Sequence, residues 1–350
     1  MYEVDTVSIA KLVMEKHFAL VRPEQYRYPE IVTFHAMAEL AVRRNDAGLL
    51  KRCLALMEPL YTGKLTHTFG AYDFYRLGGS GFALLVAAGK LPEQRETLRR
   101  AVEEWLEHGP RDKHGVFAAQ NLNPPGAHVW IDMFFATCPF LAFAANAFDR
   151  EDWRSETVGQ LETMRKLFRD PATGLYHQSL GKLGPDKLSD DYWSRGNGWG
   201  LFGLAGTLRA LPDGHPGKAT VGAILADFLE AACNFQDENG MLHQEMSRPD
   251  SFVETSGTGL FLYSLGVALE AGIVPAARRE NLIAGLRGYL AYIAQDGSVH
   301  NCCCGCLCPG DGSKEAYMAQ KFRLNDPHAF GPAALTFGQA ANLGITAVTG

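Results

Sequence analysis

A chain of 350 residues, 47% hydrophobic and only 21% charged, has ample material for a core and exceeds the usual size of one domain, so one large closed architecture or two domains are both open. A net charge of -6, with no block of Lys or Arg, argues against a nucleic-acid or anionic-membrane surface. The N-terminal stretch has acidic residues where a secretory signal would be basic, and no unbroken apolar core follows, so a cytoplasmic protein is expected.

In chain order, residues 8–20 and 28–43 predict a first pair of helices. A loop signature then recurs, beginning at Thr62, Asp112, Asp170, Asp237 and Asp296, at intervals of 50 to 67 residues. Each copy has a turn glycine (Gly63, Gly115, Gly174, Gly240, Gly297) followed by a brief alternating stretch, which predicts a tight turn and a short hairpin. A charged amphipathic helix pattern precedes each loop, as at 98–106 and 158–168. An apolar helix rich in Gly, Ala and Ser follows each, at 78–88, 129–148, 198–211, 257–271 and 331–342. With the first pair this makes six polar-outer, apolar-inner units, which predicts an all-α fold, an (α/α)6 barrel with short β-hairpins at the loops, as a single domain over residues 1–350. An open solenoid is the competitor, but it calls for longer arrays and polar capping repeats. The loops entering the inner helices crowd one mouth of such a barrel.

The longest apolar run, residues 127–148, has one carboxylate, Asp132, in its first turns. Its length matches a membrane span, but Asp132, Pro139 and Asn146 interrupt it and similar segments recur beside polar loops, so an inner helix is expected. Burying an unpaired carboxylate costs several kcal/mol, so Asp132 must find partners, take up a proton or line a wet cavity.

Around it lie His128 and Trp130, which border the same opening. The densest motif, Asp190 to Gly200, has Trp193, Arg195, Asn197 and Trp199 among glycines. Aromatic faces stack on pyranose C–H faces while Arg and Asn hold hydroxyls or a carboxylate, so these read as a sugar platform; a helix entry with core tryptophans is the plainer alternative. His67 and Asp73 stand at the second mouth loop, and His177 recurs in register with His243 and His300. At the fifth loop Glu254 and Thr255 read equally as site residues or as a helix cap. Five cysteines crowd residues 302–308, without the paired spacing of a zinc ribbon; packed thiols are expected rather than a metal. Two carboxylates facing a sugar-sized opening, one protonated and one ionised, are the minimal apparatus of glycoside chemistry.

The motifs His128-Val-Trp-Ile-Asp-Met133, Trp193-Ser-Arg-Gly-Asn-Gly-Trp199, Glu254-Thr-Ser-Gly-Thr258 and Asn325-Asp-Pro-His-Ala-Phe-Gly-Pro332 together resemble the unsaturated uronyl hydrolases, glycoside hydrolase families 88 and 105. The resemblance implies an (α/α)6 barrel that removes a 4,5-unsaturated uronic acid from the non-reducing end of lyase-generated oligosaccharides, with no metal or organic cofactor. It implies Asp132 as acid and base, protonating C4 and helping water add at C5. It implies Asp73 as the second carboxylate, His177 as a polar contact, and His128, Trp130, Trp193, Arg195, Asn197, Trp199 and Thr255 at the sugar. Arg195, Lys321 and Arg323 are candidates for the substrate carboxylate. The cysteine run departs from the Gly-rich loop the family would place there. The expected partner is a small oligosaccharide bearing a uronate, with no nucleic acid and no membrane; a homo-oligomer is left open. Rival functions are a saturated-uronide glycosidase, an inert toroid that binds a partner, and a sugar epimerase using His177 and His243.

Overall fold

In the computed structural model, residues 3–65, 77–119 and 126–349 are described. The helices come in outer and inner pairs: α1 (Thr6–Leu20) with α2 (Tyr28–Arg43), α3 (Ala47–Tyr61) with α4 (Gly79–Ala87), and α5 (Arg95–His108) with α6 (Met133–Phe148). They continue with α7 (Glu151–Phe168) and α8 (Ser194–Ala210), α9 (Pro216–Cys233) and α10 (Thr255–Glu270), and α11 (Arg279–Leu290), the short α12 (Lys314–Met318) and α13 (Phe330–Asn342). The even-numbered inner helices α2, α4, α6, α8 and α10 pack each on the next, α10 packs on α13, and α13 closes back on α2. The ring of six is the barrel that the repeat predicts.

Outer and inner helices differ in how much of their surface is apolar. Along α5 only Leu98, Val102 and Trp105 are buried, a single stripe at helical spacing. In α6 every residue from Met133 through Ala145 is buried, and in α8 every residue from Ser194 through Leu208. Glycine lets such helices approach closely. A Cβ on Gly203 of α8 would lie 2.3 Å from the Phe134 carbonyl oxygen at the start of α6, and one on Gly257 of α10 would lie 2.4 Å from the Ser194 backbone.

The recurring loop has a physical basis. Asp112 Oδ1 accepts from the amides of His114 and Val116, both at 2.9 Å, and Asp237 Oδ1 accepts from those of Asn239 and Met241 at 2.9 and 2.8 Å. Gly115, Gly174, Gly240 and Gly297 turn the chain at φ between +76° and +83°, and bridges such as Arg111↔Phe117 and Gln236↔Leu242 close each turn. The first copy, from Thr62, lies partly outside the described residues.

The strands are short antiparallel pairs: β1 (Glu3–Asp5) joins β8 (Ala347–Thr349), β2 (Val129–Trp130) joins β3 (Ser179–Leu180), β4 (Leu242–His243) joins β5 (Val253–Glu254), and β6 (Cys302–Cys303) joins β7 (Phe322–Arg323). Val129 and Trp130 were expected to begin the third inner helix. They are extended instead, because Leu180 and Ser179 supply a ladder, and the helix starts at Met133.

The mouth opposite the loops is closed by charge. Glu39 near the end of α2 accepts from Tyr263 Oη at 2.6 Å and lies 3.3 Å from both His35 Nε2 and Arg209 Nε. Burial pushes the Glu39 pKa up, but Arg209, His35 and Tyr263 outweigh it and hold the carboxyl at about 2. A folded-state pKa below the ordinary 4.5 contributes stability above that pH, lost as pH falls from about 4.5 towards 2. Glu39→Gln is expected to leave Arg209 with only the more exposed Glu270, 3.0 Å away, as its counter-charge and to cost about 1.5–3 kcal/mol in urea unfolding near neutral pH, with the loss shrinking under acid. Gly203→Ala is expected to force α6 and α8 apart and cost about 1–3 kcal/mol, read as a lower urea midpoint.

Candidate active site

Asp132 is the last residue before α6, fixed there by the β2–β3 ladder and by the Ile131 amide, which donates to the Gln178 carbonyl at 2.8 Å. The residue is half-buried, while its Oδ2 is sealed from solvent and has no hydrogen-bond partner. Burial lifts its pKa to about 6; Arg195 pulls it down and Asp191 pushes it up. A carboxyl in this state is a proton donor near neutral pH, with nothing of the protein's own to give the proton to.

Trp130, on β2, and His128, just before that strand, precede it in the chain, ring edge to face at 5.0 Å. Below His128 opens a cavity of about 350 Å³, lined by Lys113, His114, His128, Lys182 and Asp186 among others. His177, half-buried, stands against Tyr192 with ring centroids 5.3 Å apart, and its Nδ1 is buried and unpartnered. Among the described residues these are the expected site groups that remain available at the mouth. Asp73 and His67 lie outside the described residues.

The Trp193–Trp199 motif is placed differently from expectation. It forms the first turns of α8, an inner helix buried on all sides, so successive side chains rotate away from the opening into the wall. Asn197 Oδ1 accepts from the Tyr176 amide at 2.9 Å, and its Nδ2 donates to the Tyr176 and Trp193 carbonyls at 2.9 and 3.1 Å, so it clamps backbone rather than sugar. Trp199 is buried and stacks on Phe135 at 4.1 Å. Trp193 is buried with Cys303, Cys306 and Tyr317. Thr255 donates to the His300 carbonyl at 2.9 Å, and His243 Nδ1 lies 2.6 Å from the Ser251 carbonyl oxygen.

Arg195 gives both its Nη atoms to the wall, while its Nε is buried without a partner. Its Nη1 donates to the Cys303 carbonyl at 2.6 Å and Ser256 Oγ at 3.2 Å, its Nη2 to the Cys304 carbonyl at 2.7 Å, and its guanidinium lies over Trp193. The donors hold the cysteine loop; the charge still reaches Asp132. Glu254 caps α10, accepting from Ser256 and Gly257 amides at 3.0 and 2.6 Å, and ties in the Cys303 amide at 2.9 Å. The cysteines of that loop point apart: Cys302 Sγ lies 3.8 Å from Arg195, Cys303 Sγ 3.9 Å from Gln244, and Cys304 Sγ 3.8 Å from Gln320. No group of three or more His, Cys, Asp or Glu side chains among the described residues is arranged to hold a metal. Lys321 and Arg323 are exposed at β7.

Tyr28, Asp326, His328 and Asp191 stand at or under the mouth without having been singled out as site residues, and with them stands Glu245, which the fifth loop carries beside His243. Tyr28, at the start of α2, is hydrogen-bonded through its hydroxyl to His328 Nε2, and His328 Nδ1 meets Asp326 Oδ1 at 2.5 Å. Asp326 and His328 belong to the Asn325–Pro332 motif and were within reach of it; Tyr28 carries no local signal. Asp191 is buried, accepting from Ser189 Oγ at 2.5 Å and the Trp193 amide at 3.0 Å, and burial raises its pKa. Glu245, buried beside it, accepts from the Tyr192 amide at 2.7 Å, and burial lifts its pKa to about 7.

A family profile described as Glycosyl Hydrolase Family 88 matches residues 4–342. Among characterised relatives, the unsaturated rhamnogalacturonyl hydrolase YesR of Bacillus subtilis is 30% identical over 168 residues, covering 47% of this chain and 48% of that protein. An unsaturated 3S-rhamnoglycuronyl hydrolase of Formosa agariphila is 24% identical over 161 residues, 43% of each chain. The chain thus spans about half the length of the curated relatives it matches. A family 105 glycoside hydrolase from C. acetobutylicum superposes with TM-score 0.82 at 21% identity, over 95% of this chain and 99% of that one, which shows the shared fold. With its six-hairpin ring and a profile match over nearly its whole length, the chain belongs to glycosyl hydrolase family 88.

Proposed function

We propose that the protein removes a 4,5-unsaturated uronic acid from the non-reducing end of short lyase-generated oligosaccharides by hydrating the C4=C5 bond. The observation that carries this is Asp132: a sealed, unpartnered carboxyl oxygen at the barrel mouth, on a group whose pKa stands near 6. Membership of the family and the activities of its unsaturated-uronide relatives support the substrate class.

The enol ether is electron-rich at C4. Asp132 gives its proton there, positive charge develops at C5 beside the ring oxygen, and water adds at C5 while returning a proton to the Asp132 carboxylate. The hemiketal so formed opens at the ring C5–O bond, and the aglycone leaves from the exposed C1 hemiacetal. Trp130 and His128 flank the sugar, His177 offers an unspent ring nitrogen, and Asp73 is the second carboxylate. Arg195 attracts the uronate through its charge while its donors hold the wall, and Trp193, Asn197, Trp199 and Thr255 shape the site from behind. The steps call for an acid, a water and a fixed ring, and none draws on a metal or an organic cofactor. The reaction is placed in the cytoplasm, in keeping with eight cysteines that are all free thiols. No helix among the described residues is long and apolar enough to cross a membrane.

Asp132→Asn is expected to lower kcat by about 100- to 10,000-fold on lyase-generated disaccharides, with thermal unfolding unchanged or raised because an unpaired buried carboxyl is gone. Retained activity would remove Asp132 from the mechanism. The acid must be protonated, so kcat is expected to hold below pH 6 and to fall as pH rises through about 6, the value to which burial lifts Asp132. Asp73→Asn tests the second carboxylate in the same assay, where a loss of kcat of at least tenfold is expected.

A further inference from the structure

The hydration leaves one demand unmet by the groups assigned so far: the water must present a lone pair to C5, and Asp132 can receive only one of its two hydrogens. The geometry points to Tyr28, oriented by His328 and Asp326, as the acceptor of the other hydrogen and so as the seat of the attacking water.

The side chains form a chain of fixed direction. Asp326 Oδ1 meets His328 Nδ1 at 2.5 Å and also takes the His328 amide at 3.2 Å, so the carboxylate pins both ring and backbone. Both residues are buried, and His328 lies where burial and the Arg195 charge disfavour the imidazolium. The Asp326 carboxyl lies below its ordinary range: burial acts against this, but the hydrogen bonds from the His328 ring and amide and the Arg195 charge outweigh it. A neutral imidazole beside an ionised carboxylate carries its hydrogen on Nδ1 and leaves Nε2 bare. Tyr28 must then donate to Nε2, which turns its hydroxyl hydrogen away from the mouth and leaves oxygen lone pairs free.

The other charged groups around His328 do not compete. Glu30, on the turn after Tyr28, is held by His17 Nε2 at 3.0 Å and by the Arg27 amide at 2.5 Å, and Arg195 is spent on the cysteine loop. Tyr28 stands at the start of α2, at the loop mouth, half-buried. Tyr28 and Asp132 stand at the starts of two inner helices on the same mouth; burial chiefly raises the Tyr28 pKa and the Asp132 charge adds to it, and Asp132 Oδ2 accepts no hydrogen bond from the tyrosine. A sugar carbon and a water fit the description of what belongs between the unpartnered Oδ2 of Asp132 and a tyrosine oxygen whose hydrogen is committed to His328.

In the step itself, the C4=C5 π pair takes the Asp132 proton to form the C4–H bond. The water oxygen forms the bond to C5, and its proton passes to the Asp132 carboxylate. The second hydrogen stays on oxygen, held by Tyr28 Oη throughout, and becomes the C5 hydroxyl hydrogen. Tyr28 keeps its own proton on the bond to His328. His328 and Asp326 are positioning residues; Tyr28 touches the reacting water.

This inference rests on the hydration chemistry proposed above, and the test separates the two. Wild type, Tyr28→Phe and Asp326→Asn would be compared for kcat, KM, pH profile and thermal midpoint on the best lyase-generated disaccharide. Tyr28→Phe should lose about 100-fold in kcat, with KM within twofold, the pH midpoint of Asp132 unmoved and the thermal midpoint within a few degrees. Asp326→Asn keeps the tyrosine but places an amide donor on Nδ1, which moves the imidazole hydrogen to Nε2 and reverses the hydroxyl, so a kcat loss of similar size is expected. Unchanged kcat in Tyr28→Phe, or a raised KM at unchanged kcat, would overturn the water seat while leaving hydration intact. A wild-type enzyme that leaves the unsaturated chromophore untouched would instead bring down the hydration reading, and the water seat with it.

Discussion

Six helices with almost no polar surface have to face one another, and the closed ring is the arrangement that leaves none of them an open flank. Everything else in the molecule follows from that constraint. Alternating directions put all six inner N-termini at one mouth, where backbone amides lack helical partners and polar residues are needed to satisfy them. Glu254 satisfies one end through its side chain, and Tyr28, Asp132 and Asp326 stand at the starts of three others. The opposite mouth receives the C-termini and is sealed by the Glu39–Arg209 pair. Chemistry and stability are thereby assigned to opposite ends of one ring.

The constraint also explains why so many polar groups near the mouth are not free. A wall of apolar helices can hold a reactive carboxyl in place only if the loops behind it are rigid, and Arg195, Asn197, Thr255 and Glu254 supply that rigidity through bonds to backbone carbonyls and amides. Asp132 Oδ2, by contrast, has no partner, and His177 Nδ1 and Trp193 Nε1 are likewise buried and unpartnered. The cysteine loop is held by Arg195 in the same way, and burial raises the thiol pKa of Cys302, Cys306 and Cys308, and that of Cys303 to about 12.

Much of this was legible in the chain. The spaced Asp and Gly of each turn repeat because an Asx turn closed by a left-handed glycine needs those two residues, so unit count and barrel could be read from them. Asp132 stood out because a carboxylate in an apolar helix has few physical outcomes. The direction of the Trp193–Trp199 side chains was not legible: sequence places them in one motif, but a helix rotates them by about 100° per residue and α8 is buried all round. Nor was the partnership of Tyr28 with His328, 300 residues apart, which depends on α13 closing the ring against α2.

The account stands on the claim that the C4=C5 bond is consumed as the aglycone departs. Following ultraviolet absorbance of the conjugated uronate and aglycone release in the same reaction tests it most directly. Loss of one chromophore for each aglycone released is the predicted result. Release of the aglycone with the chromophore intact, or cleavage of a saturated uronide with none of the unsaturated one, would contradict it.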